Sequence, residues 1–478
     1  MSDPTLLWAT AAEVGRRVQR REVSSVEVTT ACLDALGTRG RALNAVAELT
    51  ADLALEQAAR ADREIAAGHI RGPLHGVPYG AKDLLATSGI PTRWGSPAHR
   101  DQVFDYDATA IERLRDAGAV LVTKLAMVEL AGAGGYAYAA ASLTGPGRNP
   151  WDPQRWTGGS SSGSGAAVGG GLVPFALGSE TWGSIVLPSA FCNVSGLRPT
   201  YGRVPRFGAM ALSWTLDKIG PMARSAEDCA LMLAAIAGPD PRDPSSTAGP
   251  FSFDHIVAAD RPLRLGVLAH NYTAADASEA QDRFMAALEV FRAQGHAIGE
   301  AALPDYPYDA AARTIVQVEG AAAFENLIRG PRLGELANLE QQTGLIASLD
   351  VPGVDYLRAL RIRTLAGPVA IGVFARFDAL VAPTVLRVAT PLEQRLDEAL
   401  QGMGGNGGPG NLLGWPSISI PMGPGRDGLP LGLELIGPPD SEATLLALAM
   451  QFQRDTSWHN RRTWEETLLM QPEVEVGE

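Results

Sequence analysis

Lysine is nearly absent from this chain: of 40 basic residues only Lys82, Lys124 and Lys218 are lysine, and the rest are arginine. A guanidinium stays protonated at any useful pH, whereas an ammonium withdrawn from water gives up its proton. A position that needs a neutral amine, as a general base does, therefore cannot drift to arginine. Each of the three lysines also has an ordinary structural reading, which for Lys82 is an ion pair with a neighbour such as Asp83. A second concentration of reactive groups is the run Thr157-Gly-Gly-Ser-Ser-Ser-Gly-Ser-Gly-Ala-Ala-Val168, where serine hydroxyls lie among glycines. Such a run can be a flexible linker, a phosphate-cradling loop or a tightly wound loop that positions serines. Apolar segments surround it, and it has neither the GK[ST] ending of a Walker loop nor a GxGxxG between strand and helix. A GxSxG match over 159–163 lacks the preceding strand that a nucleophile elbow requires. Taken singly, a serine in such a turn is ordinarily a cap for the local backbone.

The run Gly158-Gly-Ser-Ser-Ser-Gly-Ser-Gly-Ala-Ala-Val168, followed by Ala176-Leu-Gly-Ser-Glu-Thr-Trp-Gly-Ser-Ile185 and Pro188-Ser-Ala-Phe-Cys192, resembles the Gly/Ser-rich signature of the amidase signature family. Gly76-Val-Pro-Tyr-Gly-Ala-Lys-Asp83 is similar to the family's catalytic-lysine strand, and Gly196-Leu-Arg-Pro-Thr-Tyr-Gly-Arg203 with Leu216-Asp-Lys-Ile-Gly-Pro221 to the segment after its nucleophile. Residues 411–416, Ser417-Ile-Ser-Ile-Pro-Met-Gly423 and Gly428-Leu-Pro-Leu-Gly432 are similar to its closing motifs, so the resemblance covers most of the chain. It implies an α/β fold, a single large α/β/α layered domain with a central mixed β-sheet covered by helices, and a serine hydrolase acting on carbon–nitrogen bonds. Residue by residue, it implies Ser184 as the nucleophile, Ser160 after a cis peptide bond as the proton relay, and Lys82 as the base. The oxyanion hole would be formed by the backbone N–H groups of Thr181, Trp182, Gly183 and Ser184. No cofactor and no metal is expected.

A serine hydroxyl is a poor nucleophile until a base takes its proton, and no motif here places a histidine for that task. Lysine can serve once its pKa is moved from about 10.4 toward roughly 7–8, which burial among apolar groups and Gly-rich backbone provides. Three matches in order, each in its expected context, outweigh the structural readings that would win singly. Lys124 and Lys218 are expected to be structural, and the histidines, His75 included, to be surface or packing residues.

Two positions depart from the family pattern. Trp182 stands where a second glycine is usual, and Val186 where an arginine follows the Ser-Ile pair. Without a cation at 186, a substrate carboxylate read at that spot is disfavoured, so the expected substrate is a small neutral amide, carbamate or ester with an apolar or aryl part. Trp182, Trp214 and Trp415 are candidate pocket walls, together with Met127, Gly134 and Tyr136 from the segment 127–136, while Trp214 and Trp415 read at least as well as core tryptophans. One alternative within the fold is the glutaminase component of the tRNA-dependent amidotransferase, its A-type chain, whose Gly-Gly-Ser-Ile-Arg form is absent here and whose marks would be glutaminase activity and a B-type partner chain. The other is a catalytically inactive binding homologue, which Trp182 brings into consideration.

These residues need a scaffold, and the apolar pattern outlines one. Three- and four-residue spacing over 5–68 predicts a helical layer with Ser24 and Ser25 as N-cap candidates, and residues 72–84 predict a strand that ends near Lys82. A helix at 109–119 and a buried strand at 119–123 follow, then a Gly/Ser/Pro-crowded stretch over 132–208. Helices are expected at 226–237, 277–294 and through most of 310–366, and strands at 263–268, 377–383, 417–420 and 431–436. The domain division expected is one unit over 1–478: a helical layer at 1–70, the signature core at 71–240, and a part at 241–478 whose strands rejoin the same sheet, with a flexible loop at 386–411.

A formal charge of −13 and the absence of any basic run disfavour a nucleic-acid surface. The longest uncharged stretches are rich in Gly, Ser or Pro, and residues 1–36 carry charges throughout, so neither a membrane span nor a secretory signal is expected. Cys32, Cys192 and Cys229 are too far apart for a zinc site and read as buried thiols in a reducing compartment. The expectation is a cytoplasmic monomer or homodimer whose partners are a small amide-type substrate and water.

Overall fold

Short apolar runs bounded by Gly and Pro become the strands of one mixed sheet in this computed structural model, which describes residues 4–246, 249, 251–268, 278–399 and 407–463. In chain order the strands are β1 (Val46–Leu49), β2 (Pro78–Lys82), β3 (Val120–Leu125), β4 (Phe175–Glu180), β5 (Ser195–Arg198), β6 (Lys218–Ala223), β7 (Arg264–Leu268), β8 (Ala297–Ala301), β9 (Ala379–Pro383), β10 (Ser417–Pro424) and β11 (Pro430–Ile436). They form an 11-stranded sheet in the order β1-β3-β2-β4-β6-β5-β10-β11-β9-β7-β8. β2 runs parallel to both β3 and β4, and β7 to both β8 and β9, while the middle of the sheet is antiparallel. The halves meet where β5 pairs with β10, Leu197 opposite Ile418.

Residues alternate across each strand, and the two faces bury different helices. Phe175, Leu177, Leu197 and Ile418 pack with Met232, Leu233, Leu445 and Leu448, from the helices Ala226–Ile236 and Glu442–Asp455. Ala176, Val120, Val122 and Met222 pack on the other face with Ala166, Ala167 and Cys192, from the helices Ser162–Gly169 and Val186–Cys192. This is the expected α/β/α layering.

The N-terminal layer differs from its expectation in one respect. Helices Ala11–Gln19, Ser25–Ala35 and Ala51–Ala66 are interrupted by β1, an edge strand antiparallel to β3. Ser24 caps the second helix in a reciprocal pair with Glu27, whereas the Ser25 hydroxyl donates to the Gly76 carbonyl at 2.7 Å and ties the layer to the loop before β2. Between β8 and β9 the chain leaves the sheet as the helices Tyr308–Ala323, Leu339–Ser348 and Gly353–Ala370. Within the loop expected at 386–411, the described residues include the short helices Leu396–Ala399 and Gly407–Leu412, and 400–406 lie outside the described residues. Among the described residues no helix is long and apolar enough to cross a membrane, and no group of His, Cys, Asp and Glu could hold a metal ion.

Candidate active site

Lys82 closes β2 and is completely buried. Asp83, the carboxylate beside it in sequence, turns to the other side and pairs with buried Lys124 at 3.4 Å, whose Nζ also donates to Thr92 Oγ1 at 2.6 Å. That arrangement removes the ion pair Lys82 would otherwise have. Its Nζ lies instead 2.7 Å from Ser160 Oγ and 2.9 Å from Ser179 Oγ. Burial pulls the Lys82 ammonium down to about 7, with Asp217 and Glu180 acting in the opposite sense. Ser160 follows a cis peptide bond from Gly159, and its carbonyl accepts the Val128 N–H at 3.1 Å.

The segment Thr181–Ile185 is the turn between β4 and the helix Val186–Cys192. Glu180, fully buried at the end of β4, takes the N–H groups of Ile185 and Val186 on one oxygen at 2.9 and 3.1 Å. Its other oxygen accepts from Arg198 Nη1 at 2.8 Å and Asn411 Nδ2 at 2.9 Å. Burial opposes the charge on this carboxylate, but Arg198 and the hydrogen bonds outweigh it and hold the pKa at about 2. The turn is thereby pinned immediately after Ser184. Ser161 N–H donates to the Ser184 carbonyl at 3.3 Å, which brings the two serine loops together. Thr181 Oγ1 donates to Asp217 at 2.5 Å, fixing the other end of the turn. Gly183 carries the positive φ of 80°, whereas Trp182 is outside the left-handed region and needs no glycine-like backbone.

Ser184 opens onto a cavity of about 710 Å³ lined by Gly159, Thr181, Trp182, Tyr136, Leu187 and Arg313 among others. The Arg313 guanidinium sits over the Trp182 ring, 5.6 Å from its centroid. Val186 is 5% exposed and presents no charge.

This chain's residues 27–446 match the family model described as Amidase. The chain belongs to the amidase family. Among its relatives, the A-type chain of the glutamyl-tRNA(Gln) amidotransferase of Chloroflexus aggregans is 38% identical over 469 residues, which cover 92% of this chain and 95% of that one. The peptide amidase from Stenotrophomonas maltophilia superposes with a TM-score of 0.85 at 34% identity, over 96% of this chain and 99% of the other. A bacterial aryl acylamidase of the amidase signature enzymes gives 0.84 at 27% identity, over 95% and 98%. The activity class that follows is amide C–N chemistry, hydrolysis or amide transfer.

The candidate site brings together Lys82, Ser160 and the turn Thr181–Ser184, with Trp182 and Tyr136 at the cavity wall. Four pocket candidates stand elsewhere. Met127, directly after β3, is fully buried in the core and gives its carbonyl to Ser142 Oγ, so its side chain never reaches the cavity. Gly134 faces away, against Gly344 and Leu345 of the helix Leu339–Ser348, and its neighbours Gly132 and Gly135 line the cavity in its place. Trp415, 2% exposed just before β10, packs edge-on against Phe374 at 5.1 Å. Trp214 stands at a different, smaller cavity of about 230 Å³. His75 is buried against Gly118 and pairs with Glu64.

The sequence reading missed Ser179, Glu180, Leu187 and Arg313. Glu180 was detectable as a lone acid inside the Gly/Ser-rich segment, beside the turn. Arg313 carried no local signal, because a helix far along the chain delivers it. Glu129 was missed too: it accepts from Ser96 Oγ at 2.7 Å and from Ala337 N–H at 2.9 Å, and so fastens the segment before Tyr136 to the helical excursion.

Proposed function

We propose that this amidase hydrolyses a small, uncharged amide-type substrate with an apolar or aryl acyl part through an acyl-enzyme on Ser184. The observation that carries the reading is the fully buried Lys82 amine at 2.7 Å from Ser160 Oγ, with a pKa brought by burial to about 7. A neutral amine there accepts a proton through Ser160 as Ser184 attacks the carbonyl carbon, and the same relay returns it to the leaving nitrogen. The N–H groups of the turn Thr181–Ser184 receive the oxyanion, with Glu180 holding the turn by the two N–H groups that follow. Water then resolves the ester, and the relay runs again in the same order.

Trp182, Tyr136 and Leu187 supply an apolar and aromatic wall, Val186 adds no cation beside Ser184, and of the charged groups in the lining Arg313 is stacked on the Trp182 ring and Asp397 is held by Arg395, which together favour an uncharged acyl group there. The relatedness to an amidotransferase chain supports a second reading, glutaminase chemistry coupled to a partner. A fluorophosphonate reagent is expected to label Ser184, and Ser184→Ala to abolish both labelling and turnover of neutral anilides, primary amides and carbamates. Preferred hydrolysis of glutamine or other charged amides would overturn the substrate reading in favour of the second one; absence of labelling would overturn the nucleophile.

A further inference from the structure

The cavity at Trp214 lies next to the one that holds Ser184, and the two share Ala131, Thr181 and Leu212 in their walls. Its lining includes Ser179, whose Oγ is 2.9 Å from the Lys82 amine. Most of its charged groups are engaged within the protein, Asp243 accepting the N–H groups of Arg206 and Ser245, while Arg206 Nε is buried without a hydrogen-bond partner. Asp217 accepts from Thr181 Oγ1 and from the N–H groups of Leu212 and Ser213, while Lys218 Nζ donates to the Leu216 carbonyl. Arg206 donates to the Trp214 carbonyl, Tyr201 and Ser245, and Arg242 is held by Glu112 and Asp240. The rest of the wall is mostly apolar and aromatic: Leu84, Phe207, Met210, Leu212, Trp214 and Ile219.

We propose that this second cavity is the leaving-group subsite of the amidase and takes a neutral, ring-bearing amine. The proposal rests on the Ser184 acyl-enzyme reading and extends it. A proton taken from Ser184 is handed to the leaving nitrogen by Ser160 and Lys82, so that nitrogen must depart on the Lys82 side of the tetrahedral centre. The C–N electron pair goes to nitrogen, Ser160 gives it a proton and is reprotonated by the Lys82 ammonium, and the carbonyl re-forms on acyl-Ser184. The acyl half occupies the cavity of Trp182, and the amine half passes Ser179 into the chamber of Trp214. At about 230 Å³ the chamber has room for an aromatic ring, since a dry cavity of about 150 Å³ already takes benzene.

The test uses the full chain and two substrates with one acyl group, a primary amide and its anilide. Ala211 lines the chamber and no hydroxyl or charge depends on its side chain, so Ala211→Phe fills the space. The expected result is a fall in kcat/KM for the anilide at least tenfold larger than for the primary amide. Trp214→Ala, at a residue 48% exposed, shifts the same ratio in the same direction and guards against a folding defect in the first variant. A parallel change for both substrates in both variants overturns the subsite, as does a wild-type enzyme that cleaves the primary amide and not the anilide. Failure of the Ser184 reading would appear separately, as turnover that survives Ser184→Ala.

Discussion

At the scale of single residues, the proposed mechanism makes the titration of Lys82 the one that governs activity. Its amine can serve as a base only when neutral, and burial places its pKa at about 7. The expected profile of kcat/KM therefore rises tenfold per pH unit below about 7 and levels off above it, read with a neutral amide at constant ionic strength. Lys82→Arg stays protonated throughout and is expected to lose about 10³-fold or more, as is Lys82→Met. Stability should move the other way. Because the folded pKa lies below the unfolded value, the unfolded chain binds the extra proton between about 7 and 10.5, so wild-type stability rises with pH across that window and is depressed below it. Lys82→Met lacks this slope and is expected to be at least as stable as wild type at pH 7 in urea unfolding. A variant that is both inactive and clearly less stable would show that the amine contributes to folding through its hydrogen bonds.

At the scale of elements, the junction of β4 with the helix Val186–Cys192 depends on Glu180. The carboxylate caps the helix with two N–H acceptances and neutralises Arg198, and both side chains are fully buried. Removing one partner of a buried pair leaves the other charge uncompensated, so Glu180→Ala is expected to cost about 3–5 kcal/mol in denaturant unfolding. It should also lower kcat by releasing the turn that carries Ser184. Since the folded pKa of about 2 lies below the ordinary 4.5, this group's contribution is complete above about pH 4.5 and disappears as the pH falls toward 2. Glu180→Gln is thus expected to show a shallower loss of stability over that acid window than wild type. An unchanged acid slope would mean that other carboxylates dominate it.

At the scale of the whole molecule, one sheet runs through both halves of the chain. The strands from 46–223 end at β5 and those from 264–436 begin at β10, and the two are hydrogen-bonded neighbours. A fragment ending at 240 would leave the β5 edge and the Leu197 face unpaired. We expect the chain to unfold as one unit, with tryptophan fluorescence and far-ultraviolet dichroism giving coincident transitions, and the 1–240 fragment to be unfolded alone. Two separated transitions would divide the molecule into independent units.

Much of this was legible along the chain, and the limits have physical causes. The resemblance to the amidase signature, with lysine scarcity in support, picked out Lys82, Ser160 and Ser184 as the expected set, because motif residues are held by local turns that leave a local signature. Strands with apolar alternation or runs, such as β3 and β11, were equally visible. β4, β5 and β6 were not. Gly178 has Ser161 and Met222 so close that a Cβ would meet them at about 3 Å, and a Cβ on Gly220 would strike the Leu197 carbonyl. Where helix and loop press onto the sheet this tightly, small residues replace the pattern by which strands are recognised. The pocket walls divide along the same line. Trp182 lies inside a motif and Tyr136 in the stretch between two of them and both line the cavity, whereas Trp415, inside a closing motif, and Met127, in the same stretch as Tyr136, turn into the core. Tertiary structure alone decided that Asp83 pairs with Lys124 and leaves Lys82 free of an ion pair, that Glu180 holds the Ser184 turn, and that Arg313 reaches the cavity. Those contacts join residues far apart in the chain, and their partners are chosen by packing geometry that no local sequence pattern encodes.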